Sequence, residues 1–190
     1  MVSPKARRGA TFSGANALSL SRLALAPLCV LAILNHTWPA ALLFFAAAVA
    51  TDFADGPVAR RRGEVTALGG FLDHASDAVF VSSSLAALAW EGVVPVLLPV
   101  CVALAFLQYA LDSRVIAGRP LRASALGRYN GIAYFVVLGI PVVRNGLGLG
   151  TPGDGWVWIL AWIVVVSTFV SMADRLVAFT RRGGPGGAPS

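Results

Sequence analysis

Six long apolar stretches, separated by short polar segments, organise the chain. Each is about 19 to 25 residues long, and about 20 apolar residues are enough for a helix to cross the hydrocarbon core of a bilayer. The pattern therefore predicts an all-α integral membrane protein with six transmembrane helices. The predicted spans are residues 17–35, 38–59, 66–90, 93–113, 128–146 and 155–179.

The segments between these spans contain turn-forming residues. Pro39 follows the first span, Gly92 separates the third from the fourth, and residues 146–155 form a glycine-rich loop before the last. Glycine and proline also dominate the C-terminal end of the sequence. We predict a single membrane domain over residues 1–182 and a flexible tail over residues 183–190.

The composition supports a membrane protein, since 57% of the 190 residues are hydrophobic. The mean hydropathy of +0.74 lies far outside the range of soluble globular proteins. A formal net charge of +6 then indicates membrane topology and contact with anionic lipid, and we expect no nucleic acid partner. Cys29 and Cys101 each lie within an apolar span and are predicted to be small buried hydrophobic residues.

The positions of the basic residues predict the orientation in the membrane. With six spans both termini lie on one side, and that side contains fourteen of the fifteen lysines and arginines; Arg144 is the exception. Positive charge accumulates on the cytoplasmic side of membrane proteins. We therefore expect both termini in the cytoplasm, in the plasma membrane of a bacterium.

Four carboxylates, here called the acidic cluster, interrupt the apolar pattern: Asp52, Asp55, Asp73 and Asp77. A charged carboxylate near a bilayer centre costs about 2.5–3.5 kcal/mol on insertion scales. Spacings of three and four residues place each pair on one helix face, and the short connection makes the two helices antiparallel neighbours. The four side chains can then meet at the cytoplasmic end of the bundle.

Clustered carboxylates need a counter-charge, and two sources are compatible with the residues. Hard divalent cations prefer oxygen ligands, so the cluster suits two Mg²⁺ or Mn²⁺ ions and a phosphate-bearing substrate. The alternative is a set of ion pairs with the Arg60–Arg62 segment. A cation-coupled transporter would also place carboxylates in a membrane, although usually near the midplane and within a repeated architecture.

The motif Asp52-x2-Asp55-Gly56-x2-Ala59-Arg60-x8-Gly69-x3-Asp73-x3-Asp77 resembles the signature of the CDP-alcohol phosphatidyltransferase family. The resemblance implies transfer of the phosphatidyl group of CDP-diacylglycerol to the hydroxyl of a small alcohol, with release of CMP. Our preferred acceptor is glycerol 3-phosphate; cardiolipin synthesis and phosphatidylinositol phosphate synthesis are alternatives within the family. The resemblance also suggests a homodimer.

The resemblance implies roles for individual residues. Asp52, Asp55 and Asp73 would hold one metal ion, and Asp52, Asp73 and Asp77 the other. Asp77 would also accept the proton of the incoming hydroxyl, unless it only ligates metal. The residues that fall where the family contacts the CDP group are Gly56, Arg60 and Thr66.

Two further segments resemble the family more weakly. Asn16, Ser19 and Arg22 lie in a segment that resembles one lining the nucleotide site in the family; an N-terminal helix cap is the alternative. A segment ending at Arg128 resembles one in the branch that uses glycerol 3-phosphate, although it also fits an ordinary positively charged loop. The candidate acceptor-binding residues are Arg114, Arg119, Arg122 and Arg128. His74 departs from the family pattern and is predicted to be structural.

Overall fold

A computed structural model describes residues 14–62, 67–112 and 125–182, with side chains described over 19–53, 69–111 and 126–177. These residues form helices and short turns, which confirms the all-α prediction. The described helices are α1 (Gly14–Leu34), α2 (Trp38–Arg62), α3 (Ala67–Trp90), α4 (Leu97–Asp112), α5 (Ala125–Gly146) and α6 (Asp154–Arg182).

Helix bounds agree with the predicted spans within a few residues, with the largest difference at the start of α4. The apolar pattern places that start at residue 93, but the helix begins at Leu97. Gly92 has a φ of 74°, and the chain from there to Pro95 forms a turn. The 16 residues of α4 span about 24 Å, at 1.5 Å per residue.

Helices α1, α3 and α5 end at the same end of the bundle, each with a residue in the left-handed region. These residues are His36, Gly92 and Gly148, with φ values of 53°, 74° and 67°. After each one, the next backbone N–H donates to a carbonyl five residues earlier, as in Val93 N to Leu88 O at 2.9 Å. The chain reverses direction at these three turns, which explains why the apolar pattern is interrupted after α1, α3 and α5.

Helix α1 packs against both α2 and α3, while α5 packs against α2 and α6, and α4 joins α3 to α6. The apolar core lies between them and includes Ile33, Phe80 and Leu138, each fully buried. The α2–α5 contact depends on glycine, since a Cβ on Gly146 would lie 2.7 Å from the Leu42 Cβ. Small residues at such a contact let two helices approach closely.

The outer surface of the bundle is strongly apolar. Trp90 is 83% exposed and Trp156 71% exposed, both at the end opposite the acidic cluster. Within the part of the chain that the structure describes, two helices are long and apolar enough to cross a membrane, Leu126–Gly146 and Asp154–Val177. Shorter apolar stretches occur in α1, α2 and α4. The other spans and the orientation of the termini therefore stay predictions.

Arg144, the basic residue predicted to lie apart from the others, is at this opposite end. Its side chain is buried and donates to the Pro152 carbonyl at 2.7 Å and to Asp154 Oδ1 at 2.6 Å. These bonds tie the loop between α5 and α6 to the end of α5. The positive charge is thus neutralised by a carboxylate at the first residue of α6.

Candidate active site

Three carboxylates of the acidic cluster come together at one end of the bundle. Asp52 lies near the C-terminal end of α2, and Asp73 and Asp77 lie one turn apart near the start of α3. One carboxylate oxygen from each lies within 4.8 Å of the others. The antiparallel pairing of α2 and α3 therefore produces the convergence that the spacing predicts. The fourth member, Asp55, is in α2, but its side chain lies outside the described residues.

Arg22 of α1 supplies a counter-charge to this group. Its side chain is fully buried, and its Nη1 donates to Asp52 Oδ1 at 3.0 Å. The guanidinium also donates to Asp73 through Nη2 and to Asp77 through Nη1. The sequence analysis placed Arg22 on the cytoplasmic side and in the segment that resembles the family's nucleotide site, and it suggested the Arg60–Arg62 segment as the ionic partner of the carboxylates. The side chains of that segment are outside the described residues.

The described ion pairs of this group do not balance. Three carboxylates share the guanidinium of Arg22, so two negative charges are in excess within these ion pairs. The three Asp side chains are 25% to 40% exposed, so they can be reached from the surrounding solvent. An excess of two negative charges on converging oxygen ligands fits a divalent cation. These oxygen ligands are therefore suitable for Mg²⁺ or Mn²⁺. Which of the two ions binds, and how many ions bind, stay predictions.

Ser19 extends the contact between α1 and the acidic cluster. Its hydroxyl donates to Asp73 Oδ1 at 3.3 Å, and the residue is buried. Since α1 begins at Gly14, Ser19 is inside the helix rather than at its start. The helix-cap alternative for this residue is therefore wrong. Asn16 also lies within α1, although its side chain is outside the described residues.

Several predicted site residues fall where the structure gives no side-chain description. Gly56 and Arg60 lie in the last turns of α2, so only their backbone is described. Their roles, and those of the residues beyond the helix ends, stay predictions. The residues that lie outside the described ranges altogether are Thr66, Arg114, Arg119 and Arg122.

A cavity of about 570 Å³ continues from the acidic cluster into the space between α3, α4, α5 and α6. Asp52, Asp73 and Asp77 form part of its wall. Most of the remaining wall is apolar, with Val81 and Phe135 as examples. Arg128 also lines it, so one of the four candidate acceptor-binding arginines is at the same cavity as the carboxylates.

A stack of side chains lies along one wall of this cavity. The rings of His74 and Tyr109 are nearly parallel, with centroids 5.1 Å apart. The guanidinium carbon of Arg175 is 5.9 Å from the centre of the Tyr109 ring, a distance at which a cation is attracted to the π face. His74 Nδ1 lies 2.9 Å from the Gly70 carbonyl oxygen. This arrangement is consistent with the structural role predicted for His74.

The cavity wall also contains polar residues that the sequence did not single out. Gln108 of α4, Asn130 of α5 and Arg175 of α6 belong to three different helices. Each is a single polar residue within an apolar or mixed stretch. A single residue of this kind forms no recognisable motif, so the sequence gives no sign that it belongs to the site. Their position relative to the acidic cluster becomes evident only once the helices are packed.

The sequence profile of the CDP-alcohol phosphatidyltransferase family matches residues 12–173. The chain belongs to this family. The match covers all six described helices except the last turns of α6. It confirms the resemblance found in the motif that runs from Asp52 to Asp77.

The relatives of this chain are named for two different activities. A cardiolipin synthase (CMP-forming) of Streptomyces coelicolor is 36% identical over 86 residues, which is 42% of this chain and 40% of the relative. A CDP-diacylglycerol–glycerol-3-phosphate 3-phosphatidyltransferase of Pseudomonas fluorescens is 36% identical over 114 residues, 58% of this chain and 52% of the relative. An Aquifex aeolicus enzyme with the latter name is 39% identical over 70 residues, 37% and 39% respectively. The chain thus spans about two fifths to one half of these relatives.

Proposed function

We propose that this protein transfers the phosphatidyl group of CDP-diacylglycerol to the hydroxyl of a small alcohol and releases CMP. Family membership supports this reaction class. The observation that carries the proposal is the convergence of Asp52, Asp73 and Asp77 beside a cavity that is large enough for an organic substrate. Clustered carboxylates with an excess negative charge need a cation, and a cation is what binds a diphosphate to such a site.

The reaction requires one bond to form and one to break. The acceptor oxygen bonds to the phosphorus of the phosphatidyl group, the bond from that phosphorus to the bridging oxygen breaks, and CMP leaves with the electron pair. Asp77 accepts the proton of the acceptor hydroxyl. Its side chain is 25% exposed, the lowest value of the three described carboxylates, and it lies one helical turn deeper along α3 than Asp73. This position supports the base role.

Asp52, Asp73 and Asp77 would hold one divalent cation, and Asp55 would complete a second site with Asp52 and Asp73. When bound, Mg²⁺ or Mn²⁺ would neutralise the charge of the diphosphate and the negative charge that develops on the leaving CMP. The chain's own contribution is to orient the three carboxylates. Ser19 and Arg22 do so by hydrogen bonds from α1. Residues proposed to contact the CDP group are Asn16, Ser19, Gly56, Arg60 and Thr66.

The acceptor that we propose is glycerol 3-phosphate, which gives phosphatidylglycerol phosphate. Two of the relatives are named for this acceptor. A cardiolipin synthase is also among them, so phosphatidylglycerol is the second acceptor to test. Arg128 at the cavity wall supports a phosphate-bearing acceptor in either case.

We further propose that all six helices cross a bacterial plasma membrane, with the acidic cluster at the cytoplasmic face. The distribution of described charges supports this orientation. Arg22, Arg128 and Arg175 lie at the end of the bundle that contains the acidic cluster, whereas Arg144 is at the other end and is paired with Asp154. The homodimer suggested by the family resemblance stays a prediction.

The test is CMP release by purified protein given CDP-diacylglycerol, Mg²⁺ and one alcohol at a time. We expect Asp77→Asn to lower turnover by about 10²- to 10⁴-fold, the usual contribution of a positioned proton acceptor. Chelation with EDTA should abolish turnover. The matched control is Asp154→Asn, which changes a carboxylate at the opposite end and should leave the rate unchanged.

Two outcomes would contradict the proposal at different levels. Absence of CMP release from every alcohol with the unsubstituted protein would remove the reaction itself. Near-normal CMP release by Asp77→Asn would show that Asp77 is not the proton acceptor, although the protein would still catalyse phosphatidyl transfer.

A further inference from the structure

Two side chains in the cavity wall end in an amide group that is only half satisfied. In each, one polar atom forms a hydrogen bond and the other has no partner among the described residues. Asn130 is 4% exposed, and its Oδ1 accepts a hydrogen bond from the Ser167 hydroxyl at 2.6 Å. Its Nδ2 is buried and has no hydrogen-bond partner among the described residues. If the amide is turned over, Nδ2 donates to Ser167 and Oδ1 is the atom left over. One polar atom therefore lacks a partner in either orientation.

Gln108 of α4 shows the same pattern. Its Nε2 donates to the Met172 carbonyl of α6 at 3.0 Å, which fixes the side chain across the α4–α6 contact. Its Oε1 is buried and has no partner among the residues that the structure describes. Because the amide nitrogen is held by a backbone carbonyl, the oxygen is the atom left open.

Leaving such atoms without partners is costly. A buried amide group without a hydrogen bond loses stability relative to one that is paired, so native proteins pair nearly all of them. Asn130 and Gln108 line the same cavity, and that cavity begins at the carboxylates of the reaction centre. Two open amides at one substrate cavity indicate a ligand that completes their hydrogen bonds.

The chemistry of the wall restricts that ligand. An amide donor and an amide acceptor both suit hydroxyl groups, which can donate and accept. Arg128 and Arg175 line the same cavity and add positive charge suited to a phosphate. The amides match hydroxyl groups and the arginines match a phosphate, so the wall suits a ligand that has both.

We propose that Asn130 and Gln108 bind the glycerol phosphate group of the acceptor and so determine which alcohol the enzyme uses. This inference rests on the proposed phosphatidyl transfer. Free glycerol 3-phosphate and the head group of phosphatidylglycerol share this chemistry, so both are sources of the ligand. A site that hydrogen-bonds a substrate hydroxyl discriminates strongly against alcohols that lack it.

The test compares steady-state CMP release by Asn130→Leu and by the unsubstituted protein. Leucine has the same branched arrangement of four side-chain heavy atoms as asparagine but no hydrogen-bonding group. We expect KM for the acceptor to rise about 3- to 10-fold, the effect of losing one hydrogen bond, while KM for CDP-diacylglycerol is unchanged. The assay is run in two arms, one with glycerol 3-phosphate and one with phosphatidylglycerol in mixed micelles. The arm in which the unsubstituted protein releases CMP identifies the source.

Gln108→Met is the second variant, at a partly exposed position where a misfolded product is less of a risk. It should raise the same acceptor KM without changing KM for CDP-diacylglycerol. Asn35→Leu is the matched control, because Asn35 is exposed at the opposite end of α1 and bonds only its own helix at Leu31 O, 2.7 Å away. Its kinetic constants should equal those of the unsubstituted protein. Thermal unfolding of each variant in detergent verifies that it is folded.

The outcomes separate this inference from the proposed function. If the unsubstituted protein releases no CMP in either arm, this inference fails, because neither source of a glycerol phosphate group is an acceptor; phosphatidyl transfer itself fails only if every other alcohol is inactive too. If it releases CMP but neither folded variant changes the acceptor KM, the amides do not bind the acceptor. A parallel rise in KM for CDP-diacylglycerol would likewise overturn the assignment, since it would place the amides against the lipid substrate.

Discussion

Replacing Arg22 by methionine would remove the guanidinium that contacts Asp52, Asp73 and Asp77. The attraction across the 3.0 Å contact to Asp52 is about 5 kcal/mol at an effective dielectric constant of 20, before desolvation is subtracted. Removing one partner of a fully buried ion pair costs about 3–5 kcal/mol. The Asp side chains are 25% to 40% exposed, so solvent screens part of the repulsion that remains. We expect the free energy of unfolding to fall by about 2–3 kcal/mol without divalent cations.

Magnesium should reverse part of this loss. In Arg22→Met the three carboxylates have lost their described counter-charge, so they should bind a divalent cation more tightly than in the unsubstituted protein. Binding to the folded state stabilises it by about 2.7 kcal/mol when the cation is present at 100 times its Kd. The stabilisation by Mg²⁺ should therefore be larger for the variant. The measurement is thermal unfolding of both proteins in detergent, from EDTA to saturating Mg²⁺.

Arg144→Met is the matched control for this experiment. Arg144 is also buried and also pairs with a carboxylate, Asp154 at 2.6 Å, but it lies at the opposite end of the bundle. Its replacement should also lower stability, and Mg²⁺ should recover none of that loss. Equal stabilisation by Mg²⁺ in Arg22→Met and in the unsubstituted protein would refute the reasoning. It would mean that the carboxylates do not exchange a guanidinium for a metal ion.

Two stability predictions concern contacts between helices that do not involve the carboxylates. Gly146→Ala should destabilise the protein by about 1–3 kcal/mol, because its new Cβ would lie 2.7 Å from Leu42 Cβ. Gly131→Ala in the same helix has nothing within 4 Å and should be neutral or slightly stabilising, so equal losses in thermal unfolding would contradict the packing argument. Tyr134→Phe should cost about 1 kcal/mol by removing the buried 2.8 Å hydrogen bond to Thr168; an unchanged melting temperature would show that this bond adds nothing.

The helices could be predicted from the sequence because long apolar stretches and turn residues are local signals. Gly92 marks the break between α3 and α4 in the sequence, and its φ of 74° is the physical reason. The displaced start of α4 was not predictable from hydropathy, because Val93 and Val94 are buried although they lie in the turn. An apolar residue in a buried turn gives the same signal as one in a helix.

The carboxylates could also be predicted, since spacings of four residues place Asp73 and Asp77 on one face of α3. The pairing of Arg22 with Asp52, Asp73 and Asp77 could not be predicted, because these residues lie 30, 51 and 55 positions away. Periodicity identifies the neighbours of a residue within its own helix and gives no information on contacts between helices. Gln108 and Asn130 were missed for the same reason, since their importance comes from a cavity shared by four helices.

The position of Arg22 also explains how the first three helices are held together near the reaction centre. The fully buried core of these helices begins about one turn away from the acidic cluster, at Ala48 in α2 and Phe80 in α3. Beyond that point the buried described residues of α1 are Arg22 and Ser19, which bond to the carboxylates. Cohesion at this end therefore depends on a positive charge among the carboxylates. The carboxylates that would bind a metal ion for catalysis thus also join α1 to α2 and α3 through Arg22, because either a guanidinium or a divalent cation can neutralise them.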